Sequence, residues 1–213
     1  MIVCDQQREE NFQEYIRFSR DPLYTDVIFD AESGGVSAIH RDHRFDPTVG
    51  KYGLKIGEYE RLSVNILRKR GHLVILESEL APNGVKTPDG WLDGQIMDIK
   101  SIDGHGKWAI KDKFHGAVKQ GAECVVLYFH KRELFSWNRI LDGWEKFQND
   151  GSSKKYQTKI KKVICIVENE VIENSRLKKT TFRWLFEGSK GTGGVPPPPS
   201  FAKVTIKNEI TRE

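Results

Sequence analysis

The most regular pattern of hydrophobic and polar positions along the chain begins near residue 57. Four apolar residues recur there at helical spacing: Tyr59, Leu62, Ile66 and Leu67. A basic turn and Gly71 follow, which is a common way for a helix to end. The pattern therefore predicts a helix over 57–71, and the apolar run behind it predicts a strand over 72–79.

A second pattern lies between residues 90 and 100, where two short apolar runs flank Asp93 and Gly94. An Asp-Gly pair supplies the positive φ angles that tight hairpin turns require. These residues therefore predict a β-hairpin whose second strand ends at Lys100, with Asp93 serving the turn.

The remaining apolar runs extend this hairpin into an α/β domain. They predict helices over 108–120 and 137–148 and strands over 122–129 and 162–167. We expect a mixed sheet of about five strands flanked by helices, within a domain that covers residues 53–187. Residues 1–52, with a short helix near 10–19, are predicted to form an N-terminal extension. Residues 188–213 are predicted to be a tail rich in glycine and proline that ends in a short strand over 201–206.

Composition excludes several classes of protein. Hydrophobic residues make up 38% of the 213 residues and charged residues 30%, which is typical of a soluble protein with a real core. No apolar run approaches the roughly 18 residues of a membrane span, and the N-terminus lacks the features of a signal peptide. Three widely spaced cysteines, without a CxxC pair, indicate free thiols and exclude a zinc ribbon. We therefore expect no membrane partner and a cytoplasmic site of action.

The net charge of +4 hides an asymmetry along the chain. Residues 1–50 contain 5 Lys and Arg against 10 Asp and Glu, so residues 51–213 contain 29 against 20. A basic domain attracts phosphate backbones, which indicates a nucleic acid as partner. In the acidic segment, His40 and His43 have a spacing that could suit a metal, but no second pair of ligands is evident, and a polar surface loop is predicted.

Asp89, Asp98 and Lys100 form the clearest chemical constellation. Strand alternation places Asp98 and Lys100 on one face, while Met97 and Ile99 point the other way into the core. The hairpin turn brings Asp89 back toward the second strand. Two carboxylates can then bind one hard cation beside a lysine, a combination that can supply what hydrolysis of a phosphodiester needs.

These residues carry a resemblance to a known superfamily. Pro88-Asp89, followed after eight residues by Asp98-Ile99-Lys100, resembles the signature of PD-(D/E)XK nucleases, and the order of elements matches their restriction-endonuclease-like αβββαβ core. The compact hairpin is similar to the C-terminal toxin domains of contact-dependent growth inhibition proteins, several of which are tRNA nucleases. The resemblance covers roughly residues 55–130.

The resemblance implies a role for each residue. Asp89, Asp98 and Glu60 would hold Mg²⁺ or Mn²⁺, and Lys100 would orient the attacking water and offset phosphate charge. Gln120, which follows Lys119 on the next helix, would hold substrate or water. The implied protein is a metal-dependent endonuclease toxin that acts on tRNA or other RNA and is neutralised by an immunity protein, which we expect to be acidic where it covers the site.

Several alternatives remain open at this stage. Glu58 could replace Glu60, and Asp98 with Lys100 could be an ion pair on a solvated face. The substrate could be DNA. The chain could also be a non-catalytic phage or mobile-element assembly or binding protein that retains the fold. The tryptophans Trp91, Trp108, Trp137 and Trp144 could stack on exposed bases or pack in the core.

Overall fold

A computed structural model describes residues 5–80, 87–151, 159–168 and 170–173. The predicted turn over 81–84, the predicted tail over 188–213 and Cys4 lie outside these residues. The helices are α1 (Asp5–Arg20), α2 (Ile56–Arg68), α3 (Ala109–Lys119) and α4 (Trp137–Asn149). The strands are β1 (Tyr24–Phe29), β2 (Val36–His40), β3 (Leu73–Leu76), β4 (Gly90–Leu92), β5 (Gln95–Ile102), β6 (Cys124–Phe129), β7 (Lys162–Val167) and β8 (Glu170–Glu173).

All eight described strands form one mixed sheet in which they lie side by side in chain order. The pairs β2–β3, β5–β6 and β6–β7 are parallel, and each is connected through a helix: α2, α3 and α4. The other neighbouring pairs are antiparallel. The predicted mixed α/β fold is therefore confirmed.

The predicted number of about five strands is wrong, because β1, β2 and β8 join the sheet. The edge strand β1 is largely exposed and carries a bulge, with Asp26 at a φ of 49°, so it lacks the alternation that marks a strand in sequence. β2 is only five residues long. Since β2 pairs with β3, the segment predicted as an N-terminal extension shares the sheet of the following domain.

The helices cover both faces of the sheet. On one face, α2 packs against apolar residues that include Val74, Leu92 and Met97. On the other face, α3 and α4 cover the C-terminal half of the sheet, and α1 packs its Phe18 against β2 and β3. No helix among the described residues is long and apolar enough to cross a membrane. Cys124 and Cys165 are buried thiols.

Helix α4 confirms the helix predicted over 137–148, and it contains Gly143. A Cβ on Gly143 would lie 2.5 Å from the side chain of Ile110, because α3 and α4 approach most closely there. Gly143 therefore lets the two helices pack, at a cost in helix propensity of about 1 kcal/mol.

The hairpin between β4 and β5 turns at Asp93, as predicted. Asp93 has a φ of 49°, and its carboxylate accepts hydrogen bonds from the Leu73 amide (3.0 Å) and from Nδ1 of His72 (2.7 Å). Burial acts to raise the pKa of Asp93, but His72 and then the Leu73 amide and Lys162 outweigh it and hold this pKa below its ordinary value. Asp93 thus fastens the hairpin to β3 as well as forming the turn.

We expect Asp93→Asn to lower the melting temperature at neutral pH. A carboxyl group with a depressed pKa stabilises the fold above its ordinary pKa of 3.8, and this stability is lost as the pH falls through the depressed value. The difference in melting temperature between wild type and Asp93→Asn should therefore close below about pH 4. Asp26→Asn is the matched control, because Asp26 has the same φ of 49° and is exposed. A difference in melting temperature that does not change with pH would contradict the depressed pKa of Asp93.

Candidate active site

A cavity of about 520 Å³ opens beside the hairpin, between α2 and α3. Its charged lining residues are Asp46, Glu60, Glu79, Asp89, Arg44, Lys100 and Lys113. Four of these are acidic and three are basic. The cavity therefore offers ligands for a cation and contacts for an anion in one place.

The backbone holds Asp89 firmly at the start of β4. Its carbonyl accepts a hydrogen bond from the Glu77 amide (2.9 Å), and its carboxylate oxygen Oδ2 accepts one from the Ile99 amide (2.6 Å). The next residue, Gly90, lies so close to β3 that a Cβ would stand 1.8 Å from the carbonyl oxygen of Ile75. The close approach of β4 to β3 thus fixes where Asp89 points.

Three carboxylates meet in the cavity. One oxygen each of Glu60, Glu79 and Asp89 lies within 4.8 Å of the other two. Burial, together with the charge of Asp89, raises the pKa of Glu60 above its ordinary value, although His43 opposes the shift. The pKa of Glu79 is raised by burial and by Asp89 and Asp46, against His43 and Arg44. A bound cation would relieve this repulsion.

Glu79 was not among the predicted site residues. It lies three residues after the end of β3 and two positions after Glu77, so the alternation along an extended chain was the signal available in the sequence. That signal was weak because Glu79 lies ten residues before Asp89, where the hairpin motif begins.

The structure decides between Glu58 and Glu60 by position: Glu60 lines the cavity, whereas Glu58 is exposed in the first turn of α2.

Asp98, Lys100 and Gln120 form a connected group beside this cluster. Nζ of Lys100 donates hydrogen bonds to Oδ1 of Asp98 (2.7 Å) and to Oε1 of Gln120 (2.9 Å). Nε2 of Gln120 donates to the carbonyl oxygen of Thr87 (2.7 Å), while Lys119 is exposed. Gln120, at the end of α3, therefore ties Lys100 to the segment that carries Asp89.

Asp98 is fully buried, so its pair with Lys100 does not lie on a solvated face. Burial and then the neighbouring Asp89 raise the pKa of Asp98 well above its ordinary value, and Lys100 only partly opposes them. Oδ2 of Asp98 lies 2.6 Å from Nζ of Lys100, yet it has no well-oriented hydrogen bond among the described residues. Asp98 lies beside the cluster of Glu60, Glu79 and Asp89 but is not one of its three members.

His43 is buried, and the predicted surface loop is wrong at this position. Its Nδ1 lies 2.9 Å from the carbonyl oxygen of Glu77 and its Nε2 lies 3.4 Å from Oε2 of Glu60, with no part of the side chain exposed. Burial acts to lower the pKa of His43, but the hydrogen bonds to Glu60 and Glu77 raise it above its ordinary value. His43 thus orients Glu60 toward the cavity from the segment that precedes α2.

We expect His43→Gln to weaken the binding of Mn²⁺ to the free protein by about 10- to 100-fold, the usual effect of losing a residue that orients a metal ligand. Isothermal titration calorimetry at one fixed pH measures this affinity. His105→Gln is the control, because His105 is exposed in the loop before α3. An unchanged affinity in His43→Gln would show that Glu60 needs no such support.

Comparison with known proteins relates part of the chain to one family. Residues 86–172 match the family model described as the contact-dependent growth inhibition CdiA C-terminal domain. The match spans under half of the 213 residues, and it includes Asp89, Asp98, Lys100 and Gln120 but not Glu60, Glu79 or His43. It supports the predicted similarity to this family.

Neither a curated protein nor a solved structure gives a significant match to the chain. The family match therefore stands beside the geometry of the cavity as the evidence on function.

Proposed function

We propose that this protein is a metal-dependent endonuclease that acts as a toxin by hydrolysing phosphodiester bonds in RNA, with tRNA as the expected substrate. The observation that carries the proposal is the meeting of Glu60, Glu79 and Asp89 with the Lys100 ammonium group in one open cavity. The family match supports a role in growth inhibition.

The residues fit a Mg²⁺ or Mn²⁺ ion. Both are hard cations that take oxygen ligands, and the cluster offers three carboxylates. Burial and the repulsion between carboxylates both raise the pKa values of Glu60 and Glu79. A cation would remove the repulsion. Asp98 adds a buried carboxylate oxygen without a well-oriented hydrogen bond. Glu60, Glu79 and Asp89 would hold the ion, and Asp98 would lie beside these three ligands.

When bound, the ion would supply Lewis acidity that favours attack of water on phosphorus. In the reaction, an oxygen of water forms a bond to phosphorus while the bond from phosphorus to the leaving oxygen breaks, and a proton released by the water ends on that leaving oxygen. Lys100 would orient the water and stabilise the negative charge that develops on the phosphoryl oxygens. Asp98 and Gln120 hold Nζ of Lys100 in position.

Two further lysine and arginine side chains line the cavity and would contact the phosphates of the substrate. Lys113 lies on α3 and Arg44 on the segment before α2, so two different parts of the fold bring positive charge to the cavity. We propose RNA and not DNA as the substrate because the sequence resembles tRNA-cleaving toxins. A toxin of this kind implies an immunity protein, and an acidic surface would complement the basic residues around the cavity.

The test is cleavage of purified tRNA, total RNA, and single- and double-stranded DNA by the wild type, with Mg²⁺ or Mn²⁺ and with EDTA. The comparison protein is Asp98→Asn, which keeps the shape of the side chain. Because burial disfavours the charge of Asp98, this variant should melt no lower than the wild type while losing cleavage.

Cleavage of RNA alone supports the proposal as stated. Cleavage of DNA alone favours the DNA endonuclease, and cleavage of neither nucleic acid favours a non-catalytic binding or assembly protein.

A further inference from the structure

The four tryptophans in the described residues occupy two kinds of environment. Trp144 is buried in the core and Trp137 packs against it. Trp91 and Trp108 are exposed, at 38% and 49% of their surface. Because their indole rings are open to solvent and are not packed in the core, Trp91 and Trp108 are the two that a ligand can reach.

Trp108 lies at the start of α3 among three lysines. The Nζ atoms of Lys107, Lys111 and Lys146 lie 5.2, 5.3 and 5.2 Å from the centre of the indole ring. Lysine ammonium groups at this distance are attracted to the face of the ring, so positive charge gathers around Trp108. We call Trp108 with these three lysines the Trp108 cluster.

The cluster keeps a positive charge after its own ion pairs are counted. Lys111 pairs with Asp150 at 2.5 Å, and Lys146 pairs with Asp142 one turn before it on α4. Lys107 has no ion pair with any residue that the structure describes. Both pairs are partly exposed to solvent, so a phosphate can compete for the lysines.

Trp91 provides a natural contrast. It lines a groove between α1 and the hairpin whose charged walls include Glu10, Glu14 and Glu77. Arg17 is the one basic residue on those described walls. A polyanion would be repelled there and attracted to the Trp108 cluster, although the two rings are exposed to a similar degree.

The Trp108 cluster also lies close to the cavity along α3. Lys113, which lines the cavity, follows Trp108 by five residues, and a helix rises 1.5 Å per residue, so the two stand about 7.5 Å apart along the axis. About one and a half turns of α3 therefore separate the lysine of the cavity from the Trp108 cluster. A single strand that enters the cavity can reach Trp108 within a few nucleotides.

We propose that the Trp108 cluster binds single-stranded nucleic acid, with an unpaired base stacked on Trp108 and the neighbouring phosphates on Lys107, Lys111 and Lys146. That this strand is the substrate rests on the proposed endonuclease function. Stacking on an aromatic ring tolerates any base, so the cluster contributes affinity and leaves sequence preference to other contacts.

The test is the affinity of the full chain for fluorescently labelled single-stranded RNA and DNA oligonucleotides of the same sequence, measured by anisotropy in EDTA. Trp108→Ala should weaken binding by about 5- to 100-fold, the range expected for one lost stacking contact. Lys107→Ala should weaken binding less and should reduce the dependence of affinity on salt. Trp91→Ala is the matched control and should bind as the wild type does.

Binding by Trp108→Ala that equals the wild type overturns the proposal, as does an equal loss in Trp91→Ala, or a wild type that binds neither oligonucleotide. Equal binding of RNA and DNA assigns the cluster to single strands in general, whereas tighter binding of RNA adds contacts to the 2′-hydroxyl. Because EDTA prevents metal-dependent cleavage, binding that depends on Trp108 in a protein that cleaves nothing would refute the endonuclease alone.

Discussion

Asp89→Asn is expected to bind Mn²⁺ at least about 100-fold more weakly than the wild type and to lose cleavage in proportion. Losing a residue that only orients a metal ligand costs 10- to 100-fold, so the loss of a ligand itself should cost no less. Asparagine can still accept the hydrogen bond that the Ile99 amide gives to Asp89. The variant should therefore keep the hairpin and lose the charge.

Calorimetric titration with Mn²⁺ measures the first effect, and the cleavage rate over a range of Mn²⁺ concentrations measures the second. Glu58→Gln is the control, because Glu58 lies on the same helix as Glu60 but is exposed and outside the cavity. If Asp89→Asn binds Mn²⁺ as tightly as the wild type, Asp89 is not a ligand of the cation.

Lys100→Met should leave Mn²⁺ affinity within a few-fold of the wild type and reduce the cleavage rate by about 10²- to 10³-fold. This is the range reported for removing one group that stabilises charge in a transition state. Methionine keeps the length of the side chain and removes the ammonium group that contacts Asp98 and Gln120. Asp98 is then buried without its cationic partner, so a melting curve must accompany the rate.

Lys119→Met is the control for Lys100→Met, because Lys119 is an exposed lysine at the end of α3. Together, Asp89→Asn and Lys100→Met separate two functions of the cavity. Loss of metal affinity in Lys100→Met, with the fold intact, would mean that the lysine acts on the cation site and not on the phosphate.

The hairpin was predictable because local chemistry determines it. Asp93 and Gly94 need positive φ angles, and strand alternation then fixes Asp98 and Lys100 on one face. Gln120 was expected only from the resemblance, on the helix that follows the hairpin. The features of the hairpin itself depend on residues that are close in sequence.

His43 and Glu79 were missed because their positions depend on pairing between distant segments. His43 reaches Glu60 only because β2, just before it, pairs in parallel with β3. Parallel pairing across a helical connection leaves no local mark in the sequence. The same applies to β1, which is half-exposed, and to β2, which is short and buried, because neither strand shows a clear alternation in sequence.

The residues of the cavity come from two parts of the chain, one within the family match and one before it. Asp89, Asp98, Lys100 and Gln120 lie within the matched residues, whereas Glu60, Glu79 and His43 precede them. The upstream segment therefore contributes two of the three clustered carboxylates. A fragment that begins at residue 86 is expected to lack the complete site.

The central claim is that this cavity hydrolyses RNA with the help of a bound cation. Its most direct test is the rate at which excess wild-type protein cleaves end-labelled tRNA as Mg²⁺ is titrated into protein that has been treated with EDTA. We predict no cleavage without the cation, a rate that saturates with Mg²⁺, and loss of cleavage when EDTA is restored. Cleavage that persists in EDTA, or no cleavage with either Mg²⁺ or Mn²⁺, would contradict the claim.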